Sequence, residues 1–173
     1  MEIVFYIAAT VAIASTVMML TRLNAVHALL YLIVSLLAVA IIFYTLGAPF
    51  AAALEVITYA GAIMVLFVFV VMLLNLGKAA TRMESALLRP AMWVGPSILA
   101  AILVGQMMYL FAHGMGSGYE TSLIGPAEVG VSLFGPYMLG VELASMLLLG
   151  GLVGAYHLGW RRPQGVATAR GAR

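Results

Sequence analysis

The chain has 173 residues, 65% of them apolar and 8% charged, with eight Lys and Arg against six Asp and Glu for a net charge of +2. Its mean hydropathy is +1.14, whereas soluble domains carry about 25% charged residues, so a water-soluble globular fold is excluded. Cysteine is absent, which excludes disulfides, thiolate zinc sites and iron–sulfur ligation within this chain.

Five long apolar segments divide the sequence, at about residues 3–20, 26–46, 50–76, 91–112 and 134–157. Each is close to the roughly 20 residues needed to cross hydrocarbon as a helix. No alternating pattern of barrel strands is present, so the prediction is an all-α membrane protein with five transmembrane helices. The first segment starts with Glu2 instead of basic residues and has no convincing small-x-small site before Arg22, so it reads as a retained helix.

The first two connections, at 21–25 and 47–49, are short enough to force antiparallel neighbours. Pro49 and Pro90 suit helix N-termini, and Pro136 is placed in the first turn of the fifth helix. Pro96 follows Gly95 inside the fourth helix and predicts a bend there. The third connection, 77–89, is charged. The fourth, 113–133, holds Gly114, Gly116, Gly118, Gly125 and Gly130 and reads as a flexible outer loop, with apolar residues 123–124 and 129–133 suited to the membrane surface. Residues 1–160 form one transmembrane domain in this reading, and 161–173 a basic, disordered tail.

The basic residues fall on alternate connections. Arg22 lies in the first, Lys78, Arg82 and Arg89 in the third, and Arg161, Arg162, Arg170 and Arg173 in the tail. The positive-inside rule then makes those connections and the C-terminus cytoplasmic and leaves the N-terminus outside. Trp93 and Trp160 fall at the same cytoplasmic interface, where indole rings prefer to sit.

Two carboxylates, Glu55 and Glu142, lie within spans, where a charge costs roughly 2.5–3.5 kcal/mol at the bilayer centre. Glu55 is expected about 8 Å from its outer helix end and Glu142 about 12 Å from its own. All basic residues sit at the opposite ends, so the partners must be hydroxyls, water, protons or a neighbouring subunit. Glu55 and Tyr59 share a face four residues apart, with Thr58 beside them. Two readings stay open there: a proton or water path, or a hydrated carboxylate beside a packed tyrosine. Glu142, with Ser145 one turn on, reads as a buried polar position.

The run Tyr59-Ala60-Gly61-Ala62 is a small-residue notch in a helix otherwise built of Val, Leu, Phe and Met. It suits close packing, and it also lowers the penalty for a π-turn. Gly150 and Gly154 give a second packing surface. His27, His113 and His157 lie near helix ends without metal-ligand spacing, and there is no phosphate-binding loop, dinucleotide fingerprint or nucleophile–base arrangement.

Three blocks carry a specific resemblance. They are Asn24-Ala25-Val26-His27-Ala28-Leu29-Leu30-Tyr31-Leu32, the stretch from Ala53-Leu54-Glu55 through Tyr59-Ala60-Gly61-Ala62 to Leu74-Asn75, and Leu133-Phe134-Gly135-Pro136-Tyr137 continuing to Val141-Glu142 and residues 143–149. The chain resembles the subunit J family of proton-pumping NADH:quinone oxidoreductase, respiratory complex I, whose mitochondrial counterpart is the sixth membrane chain. The resemblance covers about residues 1–160.

It implies a five-helix, multi-pass subunit of the membrane arm in the bacterial inner membrane, next to other membrane-arm subunits and with no redox chemistry of its own. NADH, FMN, iron–sulfur clusters and quinone would bind on other subunits. The resemblance further implies a π-bulge in the third helix, around the positions from Tyr59 to Val65, that converts to regular α-helix between states. It assigns a coupling role to Glu55 and Tyr59, and a switch role to Tyr59, Gly61, Ala62 and Val65. Two other readings remain at this point: a subunit of a multisubunit cation/proton antiporter, and a passive membrane scaffold.

Overall fold

The computed structural model describes residues 2–74, 90–113 and 123–159. The charged connection at 77–89, Glu120, Trp160 and the basic tail lie outside the described residues. The described chain is helical: α1 (Glu2–Thr21), α2 (Ala25–Thr45), α3 (Pro49–Leu54), a π-helical segment (Glu55–Ile63), α4 (Met64–Leu74), α5 (Pro90–His113), α6 (Pro126–Phe134) and α7 (Met138–Gly159). Five stretches among these residues are long and apolar enough to cross a membrane, one of them the continuous run Pro49–Leu73 through α3, the π segment and α4.

Local chemistry sets the element ends. Asn24 caps α2, its side-chain oxygen accepting from the backbone N–H of Val26 at 3.0 Å and of His27 at 3.4 Å. At the other end Gly47 adopts φ 82°. There Ala48 N–H donates to Phe43 O and Gly47 N–H to Tyr44 O, a Schellman closure that needs a left-handed residue. Pro49 then opens α3 where its missing N–H costs nothing. Pro90 opens α5 in the same way, and Pro96 lies buried inside that helix.

Residues 1–126 and 127–173 form two compact units. In the first, α2 is the central element and packs against α1, the third span and α5. Its core joins Val4, Ala8 and Val11 of α1, Val34, Ala38 and Ile41 of α2, and Leu103 and Leu110 of α5. Hydroxyls stitch α1 to α2. Thr16 and Ser35 share a hydrogen bond of 2.8 Å, and Ser35 also donates to Ala12 O at 3.2 Å. Gln106 of α5 donates to Val4 O at 3.1 Å, tying α5 to α1. The segment before α6 is pinned by Ile124 N–H donating to Gly47 O at 3.0 Å.

In the second unit the structure departs from expectation in two ways. Residues 126–133, assigned above to a flexible loop, lie in helix α6, which runs to Phe134 and is opened by Pro126 with Glu128 in its first turn. Pro136 does not begin the last span; residues 135–137 form a turn, and α7 starts at Met138. The reason is Pro136 itself, which has no N–H for the Ser132 carbonyl and disfavours the α conformation at Gly135. Tyr137 N–H donates to Ser132 O instead. A Cβ on Gly135 would lie 2.7 Å from Val131 O, so the turn also demands glycine. Glu142 is therefore only four residues into its helix, about 6 Å rather than 12 Å.

Candidate functional site

The third span changes its winding part-way along. At the end of α3 the Glu55 N–H still meets Ala51 O and Ala52 O, the usual three- and four-residue reach. At the start of α4 the Met64 N–H meets Tyr59 O, five residues back, as well as Gly61 O. Between them Glu55–Ile63 holds the five-residue register of a π-helix, a rare winding that is frequent at functional sites.

The sequence explains part of this. A Cβ added to Gly61 would stand 3.1 Å from the carbonyl oxygen of Val56, tighter than ordinary contact. The residue five positions downstream of a π-register carbonyl is thus the one place in the segment without a side chain. Ala60 and Ala62 flank it with the smallest side chains that remain.

Each residue singled out above has a definite place. Tyr59, Gly61 and Ala62 lie inside the π segment, whereas Val65 is in α4, two residues past its end and 65% exposed. Glu55 opens the segment and is half-buried; Tyr59 is 49% exposed and Thr58 exposed. The π segment packs on α2, and Met64 just after it is 2% exposed and fixes the inward side of the span. Glu55 and Tyr59, four apart, remain neighbours along the helix. No described residue hydrogen-bonds the Glu55 carboxylate or the Thr58 and Tyr59 hydroxyls. The span presents one carboxyl and two hydroxyls in sequence, which can hold and pass protons or order water once a neighbouring surface closes over them.

A second polar cluster was not visible in the sequence. Tyr31 of α2 is 2% exposed; its hydroxyl accepts from Arg22 Nη2 at 3.4 Å, and the Arg22 guanidinium stands 5.3 Å from the Tyr31 ring centroid. A Cβ on Gly95 of α5 would overlap that hydroxyl. One turn before Tyr31, His27 is also buried, and its Nε2 has no hydrogen-bond partner among the described residues. The Gly95-Pro96 pair hinted at a special position, but its partner is more than sixty residues away in sequence and no local pattern names it. Glu142 lies exposed on α7, and the Ser145 hydroxyl donates to its backbone oxygen at 2.7 Å. Among the described residues no cluster of three or more His, Asp or Glu could hold a metal ion.

Comparison with known proteins shows the family. Residues 15–158 match the family model described as NADH-ubiquinone/plastoquinone oxidoreductase chain 6. A protein of Pseudomonas aeruginosa named NADH-quinone oxidoreductase subunit J is 57% identical over 162 residues, covering 92% of this chain and 96% of its own length. The subunit J of Escherichia coli K12 is 54% identical over 159 residues, 92% of this chain and 86% of that one. The subunit J of Buchnera aphidicola from Schizaphis graminum is 51% identical, covering 92% and 98%. The chain belongs to the NADH-ubiquinone/plastoquinone oxidoreductase chain 6 family.

Proposed function

We propose that this chain is a membrane-arm subunit of the proton-translocating NADH:quinone oxidoreductase and couples quinone reduction to proton movement through its third span. It sits in the bacterial inner membrane with its N-terminus outside, and binds none of NADH, FMN, iron–sulfur clusters or quinone itself. Family membership supports the place in the complex. The observation that carries the coupling role is the π register of Glu55–Ile63, which begins at the carboxylate and contains Tyr59 and Gly61.

Two windings of one helix differ in where they point everything downstream. Conversion of the π segment to α register turns the following residues by about 100° for each residue shifted. Tyr59 and Val65 would swing past their neighbours, opening or closing a chain of water beside Glu55. Two such packings need differ by only a few kcal/mol to act as a switch.

The test is a side chain at Gly61. Valine there presses on the Val56 carbonyl and disfavours the π winding. In assembled complex, Gly61→Val should lower NADH–quinone turnover and proton pumping together, by roughly tenfold if the windings are shifted by about 1.4 kcal/mol. Full assembly with normal turnover and pumping would leave the span as scaffold alone.

A further inference from the structure

Between α1 and α5, both in the first compact unit, the packing leaves two adjoining cavities that share Ile3 and Ile7 as walls. One, of about 450 Å³, runs down to Ala14 of α1 and Leu99 of α5. The other, of about 400 Å³, lies nearer the start of α1 and is bounded by Val4, Gly105 and Gln106. Each is of the size that holds a small ligand. All their described wall residues come from these two helices, so the placement of the second unit does not enter.

The groove suits a lipid in length and in chemistry. From Ile3 to Ala14 it runs about 16 Å, half of the roughly 30 Å hydrocarbon core, and so spans one leaflet. A transmembrane helix of another protein would lie against both leaflets. Between Ile7 and Ala14 the polar wall side chain is Thr10, whose hydroxyl donates to Tyr6 O at 2.8 Å, so the deep part offers apolar surface. The polar need is at the other end. Gln106 is 7% exposed, its Nε2 donates to Val4 O at 3.1 Å, and its Oε1 has no partner among the described residues. Turning the amide over would set its oxygen against the Val4 oxygen, so Oε1 keeps its place and calls for an incoming N–H or O–H. Val4 is two residues into α1, about 3 Å, which puts this acceptor near the headgroup level. Glu2 adds negative charge in the first turn of α1, while Arg22 follows α1 and Arg89 precedes α5, at the far ends of both helices. That balance suits a cationic donor better than an anionic headgroup.

We propose that the α1–α5 groove is a binding site for one phospholipid, whose acyl chain fills the deep cavity and whose ammonium headgroup, of the ethanolamine kind, donates to Gln106 Oε1. The site requires only that the chain crosses a bilayer, and it is independent of the winding of the third span.

The assembled complex in phosphatidylcholine vesicles tests it, with a trace of phosphatidylethanolamine carrying a diazirine in one acyl chain. Photolabel should appear in peptides covering residues 3–14 and 99–109. A phosphatidylcholine probe with the same chain should label them at least about fivefold less, because its headgroup has no donor. Gln106→Leu should bring the ethanolamine probe down to the choline level. Gly105→Phe should lower labelling by both probes, since a Cβ there has no atom within 4 Å and its ring would enter the cavity. The comparison of probes on the unaltered chain needs no variant. Equal labelling by the two would make this ordinary bilayer lipid and overturn the proposal. Stronger labelling by a phosphatidylglycerol probe would overturn it too, as would unlabelled peptides, which would mean that protein fills the groove. None of these readouts uses turnover or pumping, so loss of the coupling role and loss of the lipid site are told apart.

Discussion

At the scale of single residues, the firmest constraints come from contacts between distant parts of the chain. Gly95 has no side chain because the Tyr31 hydroxyl occupies that space. Gly95→Ala should destabilise the subunit by about 1–3 kcal/mol, the usual cost of overfilling a packed contact. Adding Tyr31→Phe should recover much of the loss, since the next atom, Tyr31 Cζ, is 3.2 Å away and needs only a small shift. Thermal unfolding of the two variants in detergent, read against Tyr31→Phe alone, checks this coupling. Gln106 presents the opposite case. Its amide donates to Val4 O while its own oxygen is buried without a partner among the described residues, so a bond is gained and an acceptor left over there. Gln106→Leu should change stability by less than about 1 kcal/mol in the same assay. Glu55→Gln keeps shape and removes the titrating proton. If Glu55 relays protons, pumping in assembled complex should fall by at least about tenfold while assembly is unchanged. None of these pairings was legible in the sequence. Gln106 and Val4 are 102 residues apart, and helical periodicity reports which face is apolar but not which atom answers across it.

At the scale of elements, the spans and most of their boundaries were legible, because length and hydropathy alone decide what crosses a bilayer. Asn24, Gly47, Pro49 and Pro90 fall where capping chemistry puts them, each fixed by groups within a few residues. The failure was also local, but subtler. Pro136 was read as opening a helix when it closes one: the same missing N–H that suits a first turn also denies the Ser132 carbonyl its four-residue partner, and Tyr137 N–H takes that place. What decided between the two was the helix α6 upstream, and its mixture of Gly, Ser and apolar residues disguised it as loop. In the third span the small-residue notch was visible while the winding was not. Ala-Gly-Ala permits a π register but equally permits close packing, and the choice depends on hydrogen-bond register across nine residues. The π segment also starts four residues before the notch, at Glu55, so the carboxylate and the irregular winding belong to one feature.

At the scale of the molecule, the chain is covered unevenly. Helix α2 is enclosed on several sides, while most side chains of the third span and almost all of α7 are exposed. Most of the third span's and α7's surface is Val, Leu, Phe and Met, as suits contact with lipid or with other membrane subunits. The π segment has a bearing on the length of the whole chain. Moving from a four-residue to a five-residue reach and back again is what a helix does when it accommodates one residue too many. The third span is in this sense a regular helix with a single-residue insertion that never healed. Removing one residue, Ala60 for instance, should restore a continuous four-residue ladder while leaving residues 64–74 close to their present orientation. A substitution disturbs winding and packing together; this deletion would separate them. The subunit should assemble with its downstream contacts intact and be locked in one winding, and infrared or high-resolution structural measurement of the 55–63 ladder would read the result directly. The length of the chain between Glu55 and Ile63, and not only its composition, thus sets the winding of the third span.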